Sequence, residues 1–132
     1  MIVVIDTNVY ISALVFGGAP QIAVGRAMTS PWQIATSREL REEIMATLTR
    51  RFGWPVERVI SSLDFMWQQA TWHQPLDVSA SRDPKDNHVL GCAVAAQANI
   101  ILTGDKDLLV LHPFQGISIL TPAAFLTEEG RT

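Results

Sequence analysis

Four carboxylates in this chain, Asp6, Glu43, Asp86 and Asp105, stand where an apolar run ends or where a helix is expected. Brought into one pocket, they would repel one another and raise each other's pKa until a cation neutralised them. Oxygen-only ligands suit Mg²⁺ or Mn²⁺, which keep several of their waters and so leave water available for hydrolysis. His88 and Cys92 lie four apart on one expected helix, but no second His/Cys pair exists to complete a zinc site, so packing is expected of them.

The elements that must position these acids are readable from the apolar pattern. Ile2-Val3-Val4-Ile5 reads as a strand buried on both faces that stops at Asp6, and Ile100–Thr103 repeats the construction before Gly104 and Asp105. Two strands ending in Asp can place both acids beyond the carboxyl edge of a parallel sheet, where the strand order reverses. Between them the spacing predicts a helix over 8–15, a break at Phe16–Pro20, a second helix from Pro20, and a strand over 32–36. Ser37 then caps a helix over 38–51 that contains Glu43, with Leu40, Ile44, Leu48 and Phe52 at helical spacing. Gly53-Trp54-Pro55 ends it, and a further helix carries Val59, Ile60, Leu63 and Met66. Leu76-Asp77-Val78 is expected as a short edge strand. A helix over 86–98 with Asp86 in its first turn is closed by Asn99; a strand over 117–120, a helix from Thr121-Pro122 and a polar tail, 128–132, finish the chain. Strands alternating with helices predict an α/β fold around a parallel sheet.

Length and composition narrow the classes. A chain of 132 residues is expected to form one domain that buries roughly two-thirds of its unfolded surface. The single cysteine, Cys92, excludes an intramolecular disulfide and agrees with a cytoplasmic location. Hydrophobic residues make up 48% of the chain, yet every apolar run falls well short of the ~20 residues of a membrane span, and Asp6 interrupts the first too early for a secretory leader. A net charge of −3 argues against coating nucleic acid by bulk electrostatics. A nuclease remains open, because metal-bound acids would no longer count and Arg26, Arg38, Arg41, Arg50, Arg51, Arg82, Lys85 and Lys106 would be left to meet phosphates. Trp32, Trp54, Trp67 and Trp72 can in principle stack bases, but aromatic residues in apolar segments usually pack, and Trp67 and Trp72 are assigned to packing.

Four segments, taken in order, resemble the PIN domains, and among them the VapC-like ribonuclease toxins of bacterial toxin–antitoxin pairs. They are Val4-Ile5-Asp6-Thr7-Asn8-Val9, Ser37-Arg38-Glu39-Leu40-Arg41-Glu42-Glu43-Ile44, Asp83-Pro84-Lys85-Asp86-Asn87 and Leu102-Thr103-Gly104-Asp105-Lys106-Asp107-Leu108-Leu109. The resemblance spans nearly the whole chain. It implies a three-layer α/β/α sandwich and an acidic cluster that binds Mg²⁺ or Mn²⁺ and cuts RNA. It also implies a homodimer and a cognate antitoxin seated in an exposed apolar groove.

In that register Asp6 and Asp86 are the principal metal ligands. Glu43 and Asp105 complete the catalytic cluster, by ligation or by holding a water that one of them helps to deprotonate. Asn8 and Thr103 are short polar residues suited to orienting carboxylates or a phosphate oxygen. Asp83 and Asp107 are additional ligand candidates. Each acid also has a local reading: Asp6 as a helix cap, Asp86 as a first-turn acid, Glu43 as part of a solvated face with Glu39 and Glu42, Asp105 and Asp107 as turn formers. Two other functions stay open, a non-catalytic PIN scaffold that binds protein and a phosphate-handling α/β enzyme. The latter is disfavoured because Asp6-Thr7-Asn8 lacks a second Asp two residues on.

Overall fold

The β-branched run after Met1 forms strand β1 (Ile2–Ile5), and its side chains alternate between two cores. Val3 and Ile5 enter one apolar cluster and Val4 the other, the period-two pattern of a strand covered on both faces. In this computed structural model, which describes residues 1–130, β2 (Gln33–Thr36) and β4 (Ile100–Leu102) repeat the division. Ile34, Ile100 and Leu102 face the first cluster; Ala35 and Ile101 face the second. With β3 (Thr71–Trp72) and β5 (Ser118–Leu120) they make one sheet in the order β3-β2-β1-β4-β5, and every pairing is parallel. Val4 lies opposite Ala35 on one side and Ile101 on the other.

Helices cover both faces, so the architecture is the three-layer α/β/α sandwich expected. The first cluster is closed by α1 (Thr7–Val15), α2 (Gly18–Ala27), α4 (Val56–Met66) and α7 (Pro122–Gly130), through Tyr10, Val24, Leu63 and Phe125 among others. The second is closed by α5 (Pro84–Ala96) and α6 (Lys106–Leu109), through Val89, Leu90 and Leu108. Helix α3 (Arg38–Ala46) reaches both clusters, Ile44 entering the first and Leu40 the second. The Ser37 hydroxyl caps it, accepting from Leu40 N–H at 3.2 Å. No single helix among the described residues is long and apolar enough to cross a membrane.

Several boundaries differ from the sequence reading. Leu76-Asp77-Val78 is not an edge strand; the edge is β3, paired with Ala35 and Thr36. The segment 73–80 instead runs as a strap over α5, where Leu76 N–H donates to the Gly91 carbonyl at 3.1 Å. Gly91 permits that approach, because a Cβ there would collide with the Leu76 backbone. The helix expected over 38–51 is α-helical only to Ala46 and then widens to a π-type turn, Thr47–Arg51, beside which the Thr49 hydroxyl donates back to the Met45 carbonyl at 2.7 Å. Helix α2 begins at Gly18, which puts Pro20 in its first turn, where a missing N–H is harmless. Helix α5 begins at Pro84 and ends at Ala96, closed by Gln97, a left-handed residue with φ 53°, in place of Asn99. The Asn99 side chain accepts from Ile2 N–H at 2.8 Å and ties the loop to β1. The polar tail expected over 128–132 overlaps α7, which extends to Gly130; its last two residues lie outside the described part.

Candidate active site

The chain lays β2 and β3 outward on one side of β1 and then returns to lay β4 and β5 on the other, so the strand order reverses between β1 and β4. Ligands of open parallel sheets bind at this point. Ile5 and Leu102 are paired, and Asp6 N–H donates to the Leu102 carbonyl at 2.9 Å, so Asp6 and Thr103 leave the sheet side by side. The fully buried Thr103 hydroxyl donates to Asp6 Oδ2 at 2.8 Å and accepts from Asp105 N–H at 3.0 Å. Asp6 is the residue before α1, yet its side chain makes no capping bond.

Asp86 arrives from the other direction, in the first turn of α5. The cap of that helix is Asp83, which accepts from Lys85 N–H at 3.0 Å and is itself exposed. That leaves Asp86 free to turn inward, where it is only 4% exposed and accepts from the Ser81 hydroxyl at 3.1 Å. Carboxylate oxygens of Asp86, Asp105 and Asp107 lie within 4.8 Å of one another. Asp105 also accepts from Asp107 N–H at 2.8 Å, capping α6, while Asp107 meets the Arg82 guanidinium at 2.9 Å. Glu43, half-buried on α3, faces Asp6 closely enough to act on its charge.

The electrostatics follow from this crowding. Burial above all pushes Asp6 up from 3.8 to about 6; the Thr103 hydrogen bond opposes the rise, and the charges of Glu43 and Asp105 add to it. Burial likewise pushes Asp86 up to about 7, against the Ser81 hydrogen bond and with help from Asp105 and Asp6. Four segments of sequence thus bring acids within electrostatic reach, Glu43 acting on Asp6 and Asp105 on both Asp6 and Asp86, although Asp6 and Glu43 lie outside the group of three whose oxygens are within 4.8 Å of one another; the donor set is entirely oxygen. A hard divalent cation suits such a set, because it would supply the positive charge that burial denies these groups.

The remaining sequence candidates lie apart from this contact. Asn8 is exposed on the first turn of α1, and Asp83 caps α5 outside the group of three close acids. Cys92 is a core thiol, pushed up to about 12 by burial and by Glu39, and His88 is exposed. Trp32 and Trp67 are buried; Trp72 packs edge-on against Trp67 at 5.4 Å but is 51% exposed. Ser81, which contacts Asp86, sits at no motif spacing and is not legible in the sequence; Arg82, expected only as a phosphate-facing cation, pairs with Asp107.

No curated protein matches the chain in sequence. Among solved structures it is similar to the crystal structure of VapBC2 from Rickettsia felis bound to a DNA fragment from its promoter, with 15% identity and a TM-score of 0.64, over 92% of this chain and 98% of that one. It is also similar to VapBC-1 from nontypeable Haemophilus influenzae, with 14% identity and a TM-score of 0.62, over 93% of this chain and 99% of that one. These likenesses concern the fold. From residue 2 to residue 107, a span that takes in all four acids, the sequence matches the family described as PIN domain, and the chain belongs to that family.

Proposed function

We propose that the acidic cluster is the active site of a divalent-metal-dependent endoribonuclease that hydrolyses RNA phosphodiester bonds, and that the chain is the toxin of a toxin–antitoxin pair acting in the cytoplasm as a single PIN domain. The observation that carries the reading is the convergence of Asp6, Glu43, Asp86 and Asp105 at the reversal point of the sheet, two of them buried and held well above the ordinary carboxylate range. Asp6 and Asp86 would be the principal ligands of Mg²⁺ or Mn²⁺, and Glu43 and Asp105 would complete the set, with Asp107 as a further oxygen donor. When bound, the cation lowers the pKa of the attacking water and offsets charge on the scissile phosphate. Thr103 aims Asp6, Ser81 aims Asp86, and Glu43 or Asp105 accepts the proton from water. At the rim, exposed Arg82, Lys85 and Lys106 draw the phosphate backbone in, and Asn8 orients a phosphate oxygen.

Support for an antitoxin partner is twofold. The two similar folds are VapBC proteins. An apolar groove of about 450 Å³ runs between α1, α2 and α4, lined by Leu14, Val24, Met28, Phe65 and Met66, with Phe65 65% exposed. We assign the groove to that partner, and the chain to a homodimer.

The test is cleavage of a mixed set of labelled RNAs by purified protein in Mg²⁺, Mn²⁺ or EDTA. Cutting that needs metal and falls to background in both Asp6→Asn and Asp86→Asn is the expected result. A folded, metal-binding wild type that cuts nothing would turn the reading toward a non-catalytic protein-binding scaffold.

A further inference from the structure

Two helices lead from acids of the candidate site to one aromatic pair. Asp6 directly precedes α1, and Phe16 directly follows it. Glu43 lies on α3, and Phe52 follows the π-type turn Thr47–Arg51 that prolongs that helix. The Phe16 and Phe52 rings meet edge-on with centroids 6.2 Å apart. At a rise of 1.5 Å per helical residue, the pair stands roughly 14 Å along the helices from Asp6 and Glu43.

The surface around this pair is made of rings and guanidinium groups. Phe16 is 75% exposed. The Arg51 guanidinium lies over the Phe52 ring, 5.4 Å from its centroid. Two residues further, Trp54 is covered by the Arg58 guanidinium at 3.7 Å. Phe52 and Trp54 are half-buried against the first apolar cluster, whereas Arg50, Arg51 and Arg58 are exposed, and none of the three meets a carboxylate among the described residues. The charge is one-sided. Residues 7–38 and 44–56, which supply α1, α2 and the π-type turn, contain no Asp or Glu, in a chain whose net charge is −3. Glu57, the acid next to Arg58, is exposed and pairs with none of these arginines. An acid-free face that joins cations to an exposed ring fits an anionic partner with flat apolar groups. An acidic peptide would satisfy the arginines and leave Phe16 without a flat partner; single-stranded nucleic acid offers phosphates to the first and bases to the second.

We propose that this face binds the single-stranded RNA substrate away from the scissile bond, with Phe16 as a stacking platform for a base and Arg51 and Arg58 as phosphate contacts. The inference rests on the ribonuclease reading above. Every base has a π-face, so stacking on Phe16 adds affinity without selecting sequence. A guanidinium already laid on a ring gives up little freedom when it meets a phosphate, and its fork matches two phosphate oxygens. Because the face stands off from the acids, only a strand that continues beyond the cleaved bond reaches it.

The test is anisotropy of a labelled oligouridine, long enough to span acids and rings, titrated in EDTA at several salt concentrations. Phe16→Ala should weaken binding roughly tenfold with the salt slope unchanged. Phe16→Leu, which keeps an apolar side chain without a ring, should lose as much, and Phe16→Trp should restore wild-type affinity. The double variant Arg51→Gln/Arg58→Gln should lower the slope of log affinity against log salt by about 1.4, two phosphate contacts at about 0.7 each. Melting curves check that every variant is folded. Unchanged affinity and slope in the variants would overturn the proposal while leaving the nuclease intact. A wild type that shows these effects in binding but cuts no RNA with Mn²⁺ would uphold the face against a failed nuclease reading. Absence of binding by the wild type overturns the face. So does a loss of affinity for poly-aspartate in variants that bind RNA normally, which would give the face to an acidic protein segment.

Discussion

The Thr103 hydroxyl donates to Asp6 Oδ2 at 2.8 Å and accepts from Asp105 N–H at 3.0 Å, so a single buried side chain sets the geometry of two acids that arrive on different strands. Thr103→Val keeps the shape and removes both bonds. We expect a loss of about 1–3 kcal/mol in stability for each group left unpaired, read by urea unfolding. Metal affinity should fall by roughly 10–100-fold, read by calorimetric Mn²⁺ titration. Thr103→Ser should restore most of both, and a Val variant with unchanged metal affinity would remove Thr103 from the site.

The raised carboxylates make the stability of the metal-free protein depend on pH. Asp6 and Asp86 titrate near 6 and 7 in the folded chain against 3.8 when exposed, so between about pH 4 and 7 the folded state holds more protons than the unfolded one. Stability contributed by their neutral forms is complete below pH 4 and is lost as pH rises through 6–7. For Asp6 alone the change is on the order of 3 kcal/mol. Melting curves in EDTA should show Asp6→Asn gaining on wild type as pH increases from 4 to 8. A constant difference across that range would contradict the electrostatic account.

Metal should act in the opposite direction. Because it needs ionised ligands, Mn²⁺ should raise the melting temperature of wild type more at pH 7.5 than at pH 5 and should do little for Asp6→Asn or Asp86→Asn. Equal stabilisation of all three proteins would place the cation elsewhere.

The Arg82–Asp107 pair is solvated, with side chains 89% and 43% exposed, so Arg82→Ala should change stability by less than about 1 kcal/mol. Its role in the proposed nuclease is on the substrate side. RNA affinity should weaken, and the slope of log affinity against log salt should fall by about 0.7, the contribution of one contact to single-stranded phosphate. An unchanged slope would remove Arg82 from the RNA path.

Gly91→Ala should be costly despite the general preference of helices for Ala. A Cβ at this position meets the Leu76 backbone, so the strap must lift. We expect about 1–3 kcal/mol of destabilisation by urea unfolding. The Asn87 and His88 resonances should shift with it, because both line a cavity between the strap and α5.

The interior strands were legible in the sequence because a parallel strand covered on both faces must be apolar at every position. Ile2–Ile5 and Ile100–Leu102 announce themselves for that reason, and each run stops where its acid segment begins. The Ser37 cap and the apolar stripe behind it were legible because capping and helical spacing are local. The edge was not. Thr71-Trp72 contributes only two paired residues, and Leu76-Asp77-Val78 carries a similar pattern but finds its partner in the Gly91 carbonyl of a helix.

The identities of the acids could be read from the chain, their order and spacing together resembling a PIN domain. What each acid does with its oxygens was decided by tertiary structure. Asp6 could have capped α1, but its partner Thr103 lies 97 residues away; Asp86 could have capped α5, but Asp83 takes that position and frees it to turn inward. The pairing of Arg82 with Asp107 likewise depends on which loops are folded against which helices. Local pattern reports backbone propensity and burial over a few residues, whereas a site of this kind depends on non-local neighbours, which only the assembled sheet brings together.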